Sequence, residues 1–256
     1  MIYPALVSIT FRQLTVEEII ALCVENGIKA VEWGSDVHVP EGDIETAKYV
    51  KKLSDENGIK TASYASYYIL GKNEDYKTEF AKHIACAKEL GTKTIRLWAM
   101  REASQDVCQE RLVKIYEEAN AIADMAEKDG ITISYEFHHV TLTDTLESTL
   151  KLLENAPKTC SHWQRPIGMC EEECFEQIKA LKDKIRNLHV NNRQDDGQYH
   201  ALENIRGQWL RYLTELSTRD GEDIYACVEF VRDKKVEQFI DDAKTLNSIL
   251  SEIYAK

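Results

Sequence analysis

Two glutamates each end an otherwise apolar stretch of the chain, and they are the residues best suited to chemistry. Glu136 follows residues 131–135, and Glu229 follows residues 224–228. A carboxylate in such a place is costly to bury unless it is paired or bound to a metal. A structural ion pair would explain one such glutamate. Two glutamates with the same pattern, at the same depth of two predicted strands, are stronger evidence, because both would point at one cavity.

A histidine in a similar position adds a third candidate ligand. His189 lies in residues 186–190, a segment predicted as a strand. Neutral imidazole with carboxylates suits Mn²⁺, Co²⁺, Zn²⁺ or Mg²⁺. In the preceding strand, Gln164 offers an amide oxygen that hard cations accept, and His162 is the competing donor. The predicted ligands of one divalent metal ion are Glu136, Gln164, His189 and Glu229.

Arginines, aromatic residues and other hydrogen-bonding groups lie in or just after the same predicted strands. Carbohydrate sites use this combination, because flat rings cover C–H surfaces while polar groups bind hydroxyls. Arg96 is the most informative member, since a buried guanidinium needs an anion or several acceptors. The predicted substrate-binding residues are Arg12, Trp33, His38, Tyr64, Arg96, His138, Arg165 and Asn191.

Short apolar segments that alternate with segments of helical periodicity must position these side chains. The predicted strands are residues 3–10, 29–33, 61–66, 92–98, 132–138, 159–163, 186–190 and 224–231. The predicted helices are residues 15–25, 44–56, 75–90, 104–129, 143–155, 171–183, 205–216 and 235–254. Local signals support these limits, because Thr15 precedes acidic residues as a helix N-cap does and Gly91 ends the third helix.

Repeated alternation of strand and helix predicts a parallel sheet, because each parallel crossover needs a helix. Eight units favour a single (β/α)8 TIM barrel over residues 1–256, and 256 residues is the usual size of one such barrel. Two smaller domains are the competing division. The Gly-x-Gly-x-x-Gly fingerprint of dinucleotide-binding folds is absent from the sequence. A barrel carries its chemistry at the carboxyl ends of its strands, where the candidate residues lie.

Composition excludes several classes of function. Hydrophobic residues make up 43% and charged residues 30%, as in soluble globular proteins. No apolar run approaches the roughly 20 residues that span a bilayer, and the start does not resemble a signal peptide. The seven cysteines are irregularly spaced, so we expect free thiols and a cytoplasmic location. The net charge of −12 disfavours nucleic-acid binding, because an acidic surface repels phosphate backbones.

Taken together, these segments resemble the xylose isomerase-like TIM-barrel superfamily, which includes sugar phosphate isomerases and epimerases, dehydratases and AP endonucleases of family 2. The resemblance covers nearly the whole chain, in residues 10–14, 31–40, 94–98, 135–138, 162–166, 187–190 and 228–231. It implies a metal held by Glu, Asp, His and Glu from strands five to eight, which correspond to Glu136, a strand-six residue, His189 and Glu229. No Asp ends strand six, and Gln164 is the best match there.

The resemblance implies isomerisation or epimerisation of a small sugar, sugar phosphate or polyol ketone through an enediolate. Glu136 and Glu229 would be metal ligands and also the catalytic acid and base. A dehydratase or other lyase with the same enolate chemistry is one alternative, with His138 or His38 as general acid. A barrel that binds a sugar without turnover is another. We expect a small-molecule carbohydrate as partner, with no nucleic acid and no membrane, and a homodimer is an open alternative because such barrels often dimerise.

Overall fold

The apolar segments form parallel strands that close into one barrel in a computed structural model, which describes residues 1–255. Each strand pairs with the next along the chain, and the first pairs with the last to complete the ring. The strands are β1 (Ile2–Val7), β2 (Ala30–Gly34), β3 (Lys60–Ile69), β4 (Thr94–Trp98), β5 (Thr132–Glu136), β6 (Cys160–Gln164), β7 (Ile185–Val190) and β8 (Ile224–Val228). The predicted (β/α)8 TIM-barrel fold is therefore confirmed.

A helix follows each strand. The helices are α1 (Val16–Glu25), α2 (Ile44–Glu56), α3 (Tyr76–Leu90), α4 (Gln109–Glu127), α5 (Leu146–Asn155), α6 (Glu171–Leu181), α7 (Arg206–Ser217) and α8 (Val236–Tyr254). Local chemistry sets their ends. Thr15 and Glu18 cap α1 by exchanging hydrogen bonds between side chain and backbone, and Gly91 ends α3 in the left-handed conformation at φ 69°. Among residues 1–255, no helix has the length and apolar character needed to cross a membrane.

One predicted helix is wrong in its extent. Residues 104–129 do not form a single helix, because Ser104–Asp106 make a separate 3₁₀ turn and α4 begins only at Gln109. The backbone N–H of Ser104 donates to a carboxylate oxygen of Asp144 at 3.1 Å, and Val107 is extended. A side-chain acceptor from the next strand–helix loop therefore holds the segment in a turn, which periodicity along the chain does not reveal.

The strands separate a large outer core from a small inner one. Trp33, Tyr64 and Trp163 are fully buried in the outer core with the apolar residues of the helices. The inner apolar cluster holds only small or branched side chains, namely Ala5, Val7, Ile9, Ala30, Ala62 and Cys227. Successive strand residues point to opposite faces, so each strand supplies both cores. The small inner cluster leaves room inside the barrel for buried polar and charged side chains.

Candidate active site

A cavity of about 430 Å³ opens at the carboxyl ends of the strands. Eight of the predicted site residues line it together with other polar side chains: Arg12, Arg96, Glu136, His138, Gln164, Arg165, Asn191 and Glu229. A larger cavity of about 560 Å³ lies at the opposite end of the barrel, lined by Lys51, Lys60 and Arg186 among others. It contains none of the predicted site residues, so the carboxyl-end cavity is the candidate active site.

Glu136, His189 and Glu229 meet at the floor of this cavity, and we call them the upper group. His189 Nδ1 lies 3.4 Å from Glu136 Oε1 and 3.4 Å from Glu229 Oε2. One donor atom from each residue lies within 4.8 Å of the other two. All three residues are buried. The sequence prediction that strands five, seven and eight converge on one point is consistent with this geometry.

The upper group fits a divalent cation. His189 Nδ1 is buried and has no hydrogen-bond partner within residues 1–255, although two carboxylate oxygens flank it. One imidazole nitrogen with carboxylate oxygens is a donor set that Zn²⁺, Mn²⁺ and related ions accept. Gln164 borders the group, since its Nε2 donates to Glu136 Oε1 at 2.9 Å. Its role as the fourth ligand stays a prediction.

A second set of buried side chains lies deeper in the barrel, and we call Glu32, Ser63 and His162 the lower group. Each of the three is fully buried. Ser63 Oγ donates to Glu32 Oε2, and His162 Nε2 lies 3.6 Å from the same oxygen. The ring of His162 packs edge-on against the ring of His189, with centroids 4.2 Å apart. His162, the competing metal donor, therefore contacts the lower group and not only the cavity floor.

Glu32 determines how His189 is oriented. Glu32 Oε1 lies 2.9 Å from His189 Nε2. An ionised carboxylate can only accept, so Nε2 carries a proton, while Nδ1 faces Glu136 and Glu229. Histidines that bind metals are commonly held by a carboxylate on the other ring nitrogen in this way. Glu32 was not among the predicted site residues, although this glutamate interrupts an apolar strand as Glu136 does.

Arg96 connects the two groups. Its Nη1 donates to Glu136 Oε2 at 2.9 Å, and its Nη2 donates to Glu32 Oε1 at 3.3 Å. The guanidinium is almost fully buried. Burial works against its charge, but Glu136 and Glu32 outweigh that penalty and raise the pKa of Arg96. The sequence predicted that a buried Arg96 needs an anion or several acceptors, and Glu136 and Glu32 are those anions.

Glu136 and Glu229 have unequal surroundings. Trp98 Nε1 joins Arg96 in donating to Glu136 Oε2, while Gln164 donates to Oε1. Burial works to raise the pKa of Glu136, but Arg96 and His189 outweigh it and hold that pKa well below its usual value. The side chain of Glu229 has no hydrogen bond in the described part of the chain. Burial, opposed by His189 and reinforced by Glu136, raises the pKa of Glu229 to about 7.

The histidines of the two groups also differ. Burial opposes the charged form of His189, but Glu229, Glu32 and Glu136 outweigh it and raise its pKa to about 10. His189 is therefore an imidazolium at neutral pH, and a cation that bound at Nδ1 would take the place of a proton. Burial together with the neighbouring His189 lowers the pKa of His162 to about 3. His162 is therefore neutral at physiological pH.

Three predicted substrate-binding residues lie outside the cavity lining. Trp33 is fully buried on the outer side of β2, and Tyr64 donates its hydroxyl to the backbone oxygen of Val39 at 2.9 Å. His38 contacts the backbone oxygen of Leu14 through Nε2 at 3.1 Å. Alternation along the strands explains the placement of the two aromatic residues, because the preceding Glu32 and Ser63 occupy the inner face.

The other predicted substrate-binding residues lie at the rim. Arg12 pairs with Asp36 and bonds to Tyr67 at 2.7 Å, while His138 Nδ1 contacts the backbone oxygen of His139 at 2.7 Å. Further lining residues were outside the predicted set: Tyr67, Trp98, His139, Arg193 and Tyr199. Trp98 had a sequence signal, because it ends β4 two residues after Arg96 on the same face.

The sequence is similar to one known protein family and to two known dehydratases. The family model for the xylose isomerase-like TIM barrel matches residues 20–206. The 3-dehydroshikimate dehydratase of Bacillus anthracis is 25% identical over 213 residues, which cover 78% of this chain and 75% of that protein. The inosose dehydratase of Halalkalibacterium halodurans is 21% identical over 202 residues. That match covers 73% of this chain and 66% of the relative, just under two thirds of its length.

Solved structures share the fold. The probable 3-DHS dehydratase AsbF from Bacillus anthracis has a TM-score of 0.80 at 18% identity, covering 96% of this chain and 98% of that chain. The IOLI protein with a bound zinc atom has a TM-score of 0.73 at 17% identity, covering 99% and 100%. An L-ribulose 3-epimerase has a TM-score of 0.71 at 13% identity, covering 100% and 96%. At these identities the likeness establishes the fold alone.

Proposed function

Because the chain belongs to the xylose isomerase-like TIM barrel family, we propose that it is a metal-dependent dehydratase of a small polyhydroxylated ketone. The reaction removes a proton next to the carbonyl and then expels the hydroxyl group on the following carbon as water. The observation that carries this proposal is the difference between Glu136, whose oxygens accept three side-chain donors, and Glu229, which accepts none among the described residues.

A general base needs a lone pair that is open to the substrate. Glu229 borders the cavity and has such a lone pair. Protonating Glu136 would weaken its bonds from Arg96 and Trp98, so it is suited to remain an ionised ligand. Dehydration needs only one base on the carbon acid, whereas epimerisation by two carboxylates needs both to exchange protons. The surroundings of the two glutamates therefore favour elimination over the isomerase or epimerase activity that the sequence first suggested.

Upper-group residues would hold the metal, with Gln164 beside them. When bound, the metal supplies Lewis acidity that acidifies the C–H next to the ketone and stabilises the resulting negative charge. Glu229 takes that proton, and the electron pair forms the new C=C bond as the neighbouring C–O bond breaks. His138 lines the same cavity and can protonate the leaving hydroxyl through Nε2, since its Nδ1 is bonded to His139.

Other residues of this chain position and shield the reacting groups. Arg96 and Trp98 hold Glu136 in one orientation, so that its remaining lone pairs face the cavity floor. The Trp98 ring lies at the cavity wall, with Tyr67 edge-on at 6.2 Å and His138 at 5.5 Å between ring centroids. Such ring faces can cover the C–H surface of a sugar-like ring and exclude water.

Epimerisation of a ketose is the second candidate, and one observation favours it. Glu136 and Glu229 lie at the same 3.4 Å distance from His189 Nδ1, so a substrate bound near that point would have two carboxylates within reach. Such a reaction would use Glu136 and Glu229 alternately as base and acid.

Turnover in D₂O separates the candidates. The Mn²⁺-loaded protein would be incubated with inosose, 3-dehydroshikimate and a panel of ketoses, and followed by NMR and by the ultraviolet absorbance of the unsaturated product. We expect water loss, abolished in Glu229→Gln, while His138→Gln keeps deuterium exchange at the α carbon but loses elimination. Inversion of the α carbon without water loss would instead establish an epimerase. No exchange with any metal or substrate would leave a sugar-binding barrel without turnover.

A further inference from the structure

Two arginines lie side by side at the rim of the active-site cavity. Arg165 follows Gln164 directly after β6, and Arg193 follows β7. Arg165 Nη1 donates to the backbone oxygen of Arg193 at 2.9 Å. Both residues line the cavity that contains Glu136 and Glu229. The Arg165 guanidinium therefore lies against the backbone of Arg193, and both arginines border the cavity whose floor holds Glu136 and Glu229.

These two arginines differ from the other arginines of the cavity. Arg12 pairs with Asp36, and Arg96 pairs with Glu32 and Glu136. Arg165 and Arg193 form no ion pair with any residue in 1–255. Arg165 Nε is buried without a hydrogen-bond partner in that same range. The Arg193 side chain contacts the backbone oxygen of Gly197 through Nε at 3.4 Å, and its guanidinium lies 5.6 Å from the centroid of the Tyr199 ring.

Their lack of carboxylate partners sets them apart from most arginines of the chain. Seven of the eleven arginines form an ion pair with a carboxylate within residues 1–255. Guanidinium groups bind carboxylates and phosphates with two parallel charge-assisted hydrogen bonds, and a partly buried guanidinium gains most from such a partner. The buried Nε of Arg165 is therefore a hydrogen-bond donor without an acceptor among the described residues, and a bound ligand could supply that acceptor.

We infer that Arg165 and Arg193 bind an anionic group of the substrate, either a carboxylate or a phosphate. The inference rests on the proposed function, because it assigns one end of the substrate of that same site. The anion lies at the β6–β7 side of the rim, and the carbonyl end reaches the upper group. The substrate class is thus an acidic polyhydroxylated ketone, not an uncharged sugar.

Binding of unreactive probes tests this without relying on turnover. Isothermal titration calorimetry on the Mn²⁺-loaded protein would compare shikimate with its methyl ester, and myo-inositol 1-phosphate with myo-inositol. We expect one charged probe to bind at least about ten-fold more tightly than its neutral partner, as a charge-assisted pair would require. The pair with the larger ratio identifies whether the substrate carries a carboxylate or a phosphate.

Variants show whether the two arginines cause that preference. Arg165→Gln and Arg193→Gln should each remove most of it, and Arg193→Lys should keep part of it because the charge remains. Arg211→Gln is the matched control, since it removes one positive charge on α7, where Arg211 pairs with Glu171 and Glu172. Circular dichroism and the melting temperature would establish that each variant is folded.

Three outcomes would overturn the inference. They are equal binding of the charged and neutral probes, no measurable binding of either anion, and a preference that persists when both arginines are replaced together. The last result would mean that the metal itself selects the anion. Failure of the proposed dehydratase looks different, because it would abolish product formation while the anion preference and its dependence on Arg165 and Arg193 remain.

Discussion

The upper and lower groups of the barrel are built from the same types of residue but differ in access and in satisfied hydrogen bonds. Glu32 in the lower group accepts bonds from Ser63, His189 and Arg96 and is fully buried. Glu229 in the upper group borders the cavity and accepts none from the described residues. A carboxylate with open lone pairs at a cavity is suited to act as a base, while a fully bonded one fixes the geometry of its neighbours.

Removing the reactive carboxylate should have the largest effect on activity. We expect Glu229→Gln to lower kcat by about 10² to 10⁴, the range for loss of a general base. The substitution should not lower the stability of the metal-free protein. The pKa of Glu229 is raised to about 7, so burying its ionised form destabilises the folded protein. This loss of stability grows as pH rises from about 4.5 to 7. Melting temperatures at pH 8 should therefore be equal or higher in the variant.

If Glu229→Gln instead keeps wild-type turnover, or unfolds the protein, the division between a reactive upper group and a structural lower group fails. Steady-state kinetics with a saturating metal concentration would distinguish a loss of kcat from a loss of metal.

Removing the structural carboxylate should mainly weaken metal binding. Glu32→Gln takes away the acceptor that holds His189 Nε2, and loss of such partners typically costs 10- to 100-fold in metal affinity. Titration of the chelator-treated protein with Mn²⁺ or Zn²⁺ would measure this. Glu118→Gln is the matched control, because Glu118 is another buried glutamate, bonded to Tyr68 and Gly71 on the outer side of the barrel. It should change stability but not metal affinity.

Metal binding should release about one proton near pH 7.5, because the pKa of metal-free His189 is raised to about 10. The sign for stability follows from the same shift. The charged His189 stabilises the metal-free protein fully below its unfolded pKa of about 6.5, and this stabilisation is lost as pH rises through 10. Calorimetry in buffers of different ionisation enthalpy would count the protons. No release would mean that His189 is not a ligand.

The smallest effect is expected at His162. Its ring nitrogens have no hydrogen-bond partner in residues 1–255, and burial keeps it neutral by lowering its pKa to about 3. We expect His162→Gln to cost about 1 kcal/mol of unfolding free energy and to change metal content little. Gln164→Ala should lower metal affinity more. Metal analysis that shows the reverse order would make His162 the fourth ligand and move the lower group into the metal site.

The fold and much of the candidate site were accessible from the sequence because the relevant signals are local. The eight strand–helix units appear as changes of hydrophobic period, and Glu136, His189 and Glu229 interrupt apolar segments. Glu32 also interrupts an apolar segment, but the neighbouring Trp33 was predicted as the substrate-binding residue instead. Strands of a parallel barrel are buried on both faces, so hydrophobicity does not tell which of two neighbours points inward.

Depth inside the barrel was also beyond the sequence. His162 and Gln164 lie on the same face of β6, so their spacing could not say which one reaches the cavity floor. A shift in register between β6 and β7 at Ser161 and His162 helps set their height relative to His189. Such a shift depends on how two strands pair, so it cannot be predicted from the sequence of either strand alone.

Closure of the ring by β1 and β8 has a consequence for the order in which the molecule acquires its activity. Ile2 pairs with Ile224, and Glu229 follows the closing strand. A growing chain that has already folded β5 and β7 therefore holds Glu136 and His189 but lacks the third carboxylate and the wall that encloses the metal. We expect ion capture to be one of the last events of biogenesis, coupled to the slow pairing of residues from opposite ends of the chain. Nascent or truncated chains would then be protected from taking up the wrong metal.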